Sequence, residues 1–157
     1  MNWQTNIQIR ELADGQIIPF DLLLLADPSR EMIDRYIHSS SILVAYVSEE
    51  PVAVYVLYKT GEDTVEIKNI AVVTHLQGKG IGKYLIQHSI EKATQDGFRY
   101  IIIGTGNSSL EQLYLYQKAG FDIFSLKENF FTSQYPEPIY ENGIQCKHMI
   151  MLRKNLF

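Results

Sequence analysis

Residues 68–83 read "KNIAVVTHLQGKGIGK", and the chemistry of this stretch lies in its glycines. An apolar run from Ile70 to Val73 breaks at Thr74-His75, after which Gly78, Gly80 and Gly82 alternate with larger residues. Glycines without a Cβ let the backbone approach a ligand closely and turn successive N–H groups into one concavity. A helix beginning near Gly80 adds its unpaired N–H groups and the positive end of its dipole. Lys79 and Lys83 supply charge, so the segment predicts a seat for a phosphate or pyrophosphate. The same letters also fit an ordinary strand-to-helix turn in which the glycines serve packing alone. Two familiar phosphate loops are excluded. A dinucleotide loop needs G-x-G-x-x-G, but Lys83 stands at the last position counted from Gly78, and Ser109 stands there counted from Gly104. The G-x-x-x-x-G-K-[ST] loop has no match anywhere in the chain.

The other reactive side chains form no comparable constellation. His38, His75, His88 and His148 show no metal-ligand spacing with one another or with the single cysteine, so no metal site is expected. Cys146 and His148 fall on one face of a strand, but no third group orients them, and a buried structural thiol is the expectation. His88, among polar residues of a helix, is expected at the surface.

The elements that must position these residues follow from periodicity. Ile7 and Ile9 alternate with polar residues and predict a first strand. Two helical stretches follow, from Pro19 to Leu25 and from Ser29 to Ile37, the second with Ser29 as N-cap and a stripe of Met32, Ile33, Tyr36 and Ile37. "SILVAYVS" and "VAVYVLYK" are rich in β-branched and aromatic residues and flank a turn at Glu49-Glu50-Pro51. "TVEIKNIAVV" follows Gly61-Glu62-Asp63 as a third strand of a meander. From Gly80 the period changes: Ile81, Leu85, Ile86, Ile90 and Ala93 form a helical stripe ended by Asp96-Gly97. "YIIIG" reads as a short buried strand. Ser108 and Ser109, each with Glu111 or Gln112 three positions on, predict a capping box for a helix that Gly120 ends. "FDIFSL" and "KHMIMLRKNLF" are the last strands, around a long aromatic excursion with several prolines. The order β-α-α-β-β-β-α-β-α-β-β predicts a mixed α/β sheet.

Composition bounds the class. The chain has 157 residues, 46% hydrophobic and 20% charged, which suits one globular domain spanning 1–157. A net charge of −4 argues against a nucleic-acid partner. One cysteine excludes an internal disulfide framework and fits a reducing compartment. The most apolar stretch, "IIPFDLLLLA", is short and carries Asp21, and the N-terminus lacks the apolar core of a signal peptide, so a soluble, cytoplasmic protein without membrane contact is expected.

Gln77-Gly78-Lys79-Gly80-Ile81-Gly82 has the form Q/R-x-x-G-x-G/A, and it resembles the acetyl-CoA pyrophosphate loop of the GNAT superfamily of N-acetyltransferases. A second segment, Asn107 followed by "LEQLYLYQKAGF", is similar to the N-x-x-A-x-x-L-Y-x-K-x-G-F pattern of that family. Asn107, Leu113, Tyr116, Lys118, Gly120 and Phe121 fit, while Leu110 replaces the small residue and Tyr114 stands one register from a family aromatic. The element order matches over nearly the whole chain. The resemblance implies a sheet of about seven strands with four helices, splayed in a V between the fourth strand, "TVEIKNIAVV", and the fifth, "YIIIG". It further implies that acetyl-CoA lays its pantetheine arm on main-chain groups of Ile70, Ala71 and Val72. Gln77, Gly78, Lys79, Gly80, Ile81, Gly82 and Lys83 would wrap the pyrophosphate, and Asn107 would bond the arm from the other side.

Transfer of an acetyl group to an amine needs a base for the ammonium proton, a donor for the charged carbonyl oxygen and an acid for the departing thiolate. By resemblance, Tyr116 is the acid, on a helix that turns Tyr114 to a nearly opposite face. Glu66, on the fourth strand with Lys68 and Ile70 on its face, is the base, directly or through a water. The same resemblance implies that the main-chain N–H of Val72 is the oxyanion donor. Ribosomal-protein acetyltransferases of the family place their base on the fifth strand, where this chain has Ile102.

Acceptor specificity in this architecture comes from the first two helices and the last excursion. The helices carry Asp21, Asp27, Glu31 and Asp34; the excursion sets Glu128, Glu137 and Glu141 among Phe130, Phe131, Tyr135 and Tyr140. Carboxylates among aromatics suit a cationic amine. The primary expectation is therefore acetylation of a small-molecule amine, polyamine-like or aminoglycoside-like. A peptide amine and a non-catalytic acyl-CoA-binding module are the alternatives. The length of the excursion is compatible with a homodimer.

Overall fold

A computed structural model describes residues 2–157. Contacts divide the chain into two compact units, Met1–Lys59 with Ile67–Ser89, and Thr60–Glu66 with Ile90–Phe157. The first unit opens with a single helical turn, α1 (Trp3–Asn6), whose first free N–H groups include that of Gln4, capped by the Asn2 side chain. Strand β1 (Ile7–Glu11) pairs antiparallel with β2 (Ser41–Val47), and β2 with β3 (Glu50–Lys59). Between β1 and β2 lie α2 (Phe20–Ala26), α3 (Arg30–Asp34) and a 3₁₀ turn over Ile37–Ser39. The Ser29 hydroxyl accepts from Met32 N at 3.2 Å, so the expected N-cap is made. Leu22, Leu23, Ile33, Tyr36 and Ile37 bury against Ile42, Val44, Val54, Val56 and Ala71 as a core cluster.

The β2–β3 turn differs from the expectation. It is Ser48-Glu49, both with positive φ (52° and 65°), and Glu50 and Pro51 already belong to β3. Two-residue hairpins favour positive φ at both positions because that twist matches the strands. Pro51, which has no N–H to donate, falls where the register shifts between Ala45 and Tyr46.

β4 (Thr64–Val72) is shared: the division falls between Glu66 and Ile67. In the second unit its start lies beside that of β5 (Tyr100–Gly106), because Asp63 O accepts from Arg99 N at 2.8 Å and Tyr100 N at 3.0 Å. The whole sheet is mixed and seven-stranded, in the order β1-β2-β3-β4-β5 and then β9 (Met149–Asn155) and β6 (Asp122–Lys127). Helix α4 (Ile81–Gln95) buries Ile81, Leu85, Ile86, Ile90 and Ala93, the predicted stripe. Helix α5 (Leu110–Lys118) follows β5, and β6 (Asp122–Lys127) pairs antiparallel with β9 (Met149–Asn155).

The expected capping box on α5 does not form. Ser109 is the capping position, but its hydroxyl donates to Glu141 Oε1 at 2.9 Å instead of serving the helix. The excursion holds three elements that periodicity did not reveal: α6 (Phe130–Gln134) and the hairpin β7 (Ile139–Glu141) to β8 (Ile144–Cys146). They are too short for a repeat of apolar positions to show. Among the described residues no helix is long and apolar enough to cross a membrane.

Candidate active site

The glycine segment belongs to the first unit. β4 ends at Val72, a 3₁₀ turn covers Thr74–Leu76, and α4 begins at Ile81. Gly78 (φ +76°) and Gly80 (φ +92°) occupy backbone states that side-chain-bearing residues rarely adopt. Gly82 differs: it is helical, in the first turn of α4, and a Cβ there would meet no protein atom within 4 Å. Packing therefore gives no reason for glycine at that position, and helix propensity argues against it. Lys79 and Lys83 are exposed beside it. The Gln77 side chain donates from Nε2 to Val72 O at 2.9 Å, which ties the turn back to the strand end. Val73 N donates to Val52 O at 2.8 Å, so β3 fixes the chain just after Val72.

Trp3, which the sequence did not single out, lies against this turn. Its Nε1 donates to Lys79 O at 3.0 Å, and its ring meets Tyr84 edge-on at 5.6 Å. Asn69 was likewise unforeseen; it is buried on β4 and donates to Leu23 O at 3.0 Å and Tyr36 Oη at 3.2 Å. His88 is not at the surface. It is half-buried, and its Nδ1 lies 2.7 Å from the hydroxyl of the fully buried Tyr55. A buried phenol requires a partner, and the helix supplies one.

The second unit carries Glu66, Asn107 and Tyr116. Glu66 is 6% exposed on β4. Tyr116 is buried on α5 and Tyr114 is 67% exposed, the predicted opposition of faces. Burial pushes the Tyr116 phenol well above the ordinary tyrosine range, so it keeps its proton throughout the physiological span. Asn107, just past β5, uses its side chain heavily: Oδ1 accepts from Lys147 N (2.8 Å) and His148 N (2.9 Å), and Nδ2 donates to Gln145 O (3.1 Å). These bonds use one of its two amide hydrogens.

Gln145 and Cys146 also line an open cavity of about 220 Å³, together with Phe131, Tyr135, Pro136, Glu137, Pro138 and Ile139. Phe131 stacks on Tyr135 at 5.8 Å. The cavity adjoins the end of β5, since a Cβ on Gly106 would collide with Cys146 Sγ and lie 3.6 Å from Phe131. Burial pushes the Cys146 thiol up, Glu141 adds to the rise and Ser108 opposes it, so this sulfur is a packing group. Cys146 and His148 do not share a strand: the first ends β8, and the second precedes β9 with its Nδ1 accepting from Asn129 N at 2.9 Å.

The acidic residues of α3, and Asp27 just after α2, are spoken for locally. Asp34 lies 3.3 Å from Arg30 and 3.8 Å from His38, Glu31 lies 4.0 Å from Arg35, and Asp27 accepts from Ser29 N. Among the described residues no three His, Cys, Asp or Glu side chains converge as metal ligands.

A mixed seven-stranded sheet with a glycine turn between β4 and α4 defines a class, and the sequence matches it: residues 10–121 fit the model of the acetyltransferase (GNAT) family. The chain belongs to that family and is an acetyltransferase. It is 48% identical over 157 residues to the uncharacterized N-acetyltransferase YvbK of Bacillus subtilis (strain 168), covering 99% of this chain and 100% of that one. A GNAT family acetyltransferase from Elizabethkingia anophelis, crystallised with acetyl-CoA bound, superposes with a TM-score of 0.93 at 50% identity, over 96% of this chain and 98% of that one. An IAA acetyltransferase from Bacillus cereus ATCC 14579 superposes with a TM-score of 0.91 at 47% identity, over 95% and 99% of the two chains.

Proposed function

We propose that this enzyme moves an acetyl group from acetyl-CoA to a primary amine by direct attack, and that the amine belongs to a small molecule with an apolar or aromatic body. The observation that carries the cofactor assignment is the bare turn: two glycines of positive φ and a helical glycine whose Cβ direction is clear of protein atoms. Such a cradle, flanked by Lys79 and Lys83 at a helix start, suits a diphosphate. The relative from Elizabethkingia anophelis, similar over nearly the whole chain, holds acetyl-CoA. Main-chain groups of Ile70, Ala71 and Val72 and the remaining Asn107 hydrogen take the pantetheine arm.

Glu66 accepts the proton of the amine, directly or through a water, and the Val72 N–H faces the carbonyl oxygen as its charge grows. Tyr116 holds a proton for the departing sulfur; its buried phenol is a reservoir that does not ionise beforehand. The cavity walled by Phe131, Tyr135, Pro136, Pro138 and Ile139 takes the body of the amine, and Glu137 attracts its charge. A thiol-release assay over aromatic amines, linear polyamines and peptide N-termini tests this reading. Aromatic-bodied amines give the highest kcat/KM, and Tyr135→Ala raises the KM of the best amine about tenfold without changing that of acetyl-CoA. A best substrate among the peptides, indifferent to Tyr135→Ala, would refute the acceptor assignment.

A further inference from the structure

The turn proposed above to hold the diphosphate is not supported by its own residues alone. Trp3, on the first helical turn of the chain, meets it at two points and packs on the helix beyond: Nε1 bonds Lys79 O at 3.0 Å, ring carbon Cζ2 lies 3.6 Å from where a Gly80 Cβ would be, and the indole meets Tyr84 of α4 at 5.6 Å. The peptide between Lys79 and Gly80 is planar and trans, so its C=O and N–H point in opposite directions. Holding the Lys79 carbonyl towards the indole therefore turns the Gly80 N–H away from it. On its far side that peptide is hinged at Gly80, which reaches φ +92° without steric cost, and no other group in the turn bonds the Lys79 carbonyl.

We propose that Trp3 is a positioning residue for the coenzyme: it locks the Lys79–Gly80 peptide with its N–H presented to the diphosphate. This rests on the glycine turn being the diphosphate seat. Trp3→Phe removes only the donor and keeps a ring against Gly80 and Tyr84; Trp3→Ala removes both. In the full-length enzyme, Trp3→Phe raises the KM for acetyl-CoA about tenfold, the effect of one lost positioned hydrogen bond. Meanwhile kcat and the KM of the amine stay within about twofold, and Trp3→Ala exceeds Trp3→Phe. S-acetylpantetheine, which has no diphosphate, serves as the control substrate, and its KM is the same for wild type and both variants.

A merely structural Trp3 would lower the melting temperature and disturb both acetyl donors alike, and that outcome overturns the inference. So does an acetyl-CoA KM within about twofold of wild type in Trp3→Phe. A wild-type enzyme that uses acetyl-CoA and S-acetylpantetheine equally well would instead strike down the diphosphate seat itself. As the chain has a single Trp, indole emission provides a second readout: CoA shifts it in wild type. An emission indifferent to saturating CoA would also count against the proposal.

Discussion

At the scale of single residues, Tyr116 combines two properties that are seldom found together: a hydroxyl suited to proton donation and near-complete burial. Removing that hydroxyl with Tyr116→Phe leaves the ring packed 6.4 Å from Phe121 and the acetyl-CoA affinity unchanged, but lowers kcat about 100-fold, a typical general-acid contribution. The same burial has a consequence for stability. The unfolded phenol ionises near pH 10, whereas the folded one holds its proton to higher pH. Folding stability from this group is therefore whole below about pH 10 and declines as pH rises through and beyond it. Urea midpoints at about pH 9 and about pH 11 should fall further in wild type than in Tyr116→Phe. Equal declines would show that the phenol is not held protonated. Asn107 acts at this scale too, since its carboxamide satisfies two backbone N–H groups of the segment between β8 and β9.

At the scale of elements, the start of α4 separates what the fold needs from what a ligand needs. Gly82 sits in helical backbone with no protein atom near its Cβ direction. Gly82→Ala should raise stability by about 0.5–1 kcal/mol through helix propensity. If the diphosphate approaches there, the same substitution weakens acetyl-CoA binding about tenfold, as isothermal calorimetry would report. Higher stability with unaltered affinity would mean that the position faces no ligand. The last excursion shows the converse case, an element whose purpose is attachment. Asn142 donates from Nδ2 to Ser108 O at 2.9 Å, Ser109 bonds Glu141, and Asn107 bonds Gln145, Lys147 and His148. The hairpin β7–β8 is thereby fastened to the end of β5 and the start of α5, where it walls the cavity.

At the scale of the whole molecule, binding should appear as stability. A coenzyme that binds only the folded chain adds about 2.7 kcal/mol at 100 times its Kd. For a chain of this size that raises the melting temperature by about 5–10 °C, with CoA and acetyl-CoA both effective. A melting curve that ignores saturating coenzyme would contradict the cofactor assignment as a whole. The sequence by itself determined the strands of the meander, the stripe of α4, the opposition of Tyr114 and Tyr116, and the glycine turn. Each of these is written in local periodicity or backbone preference, which act across a few residues. Only the tertiary structure decided that Trp3 reaches Lys79, 76 positions away, that Tyr55 takes His88, 33 away, and that Asn107 spends its carboxamide on residues 38 to 41 away. It likewise moved the Ser109 hydroxyl from its own helix to Glu141 and gathered Phe131, Tyr135 and Cys146 around one cavity. A polar group needs some partner once it is buried, and its own residue type does not say which distant segment folding will bring to it.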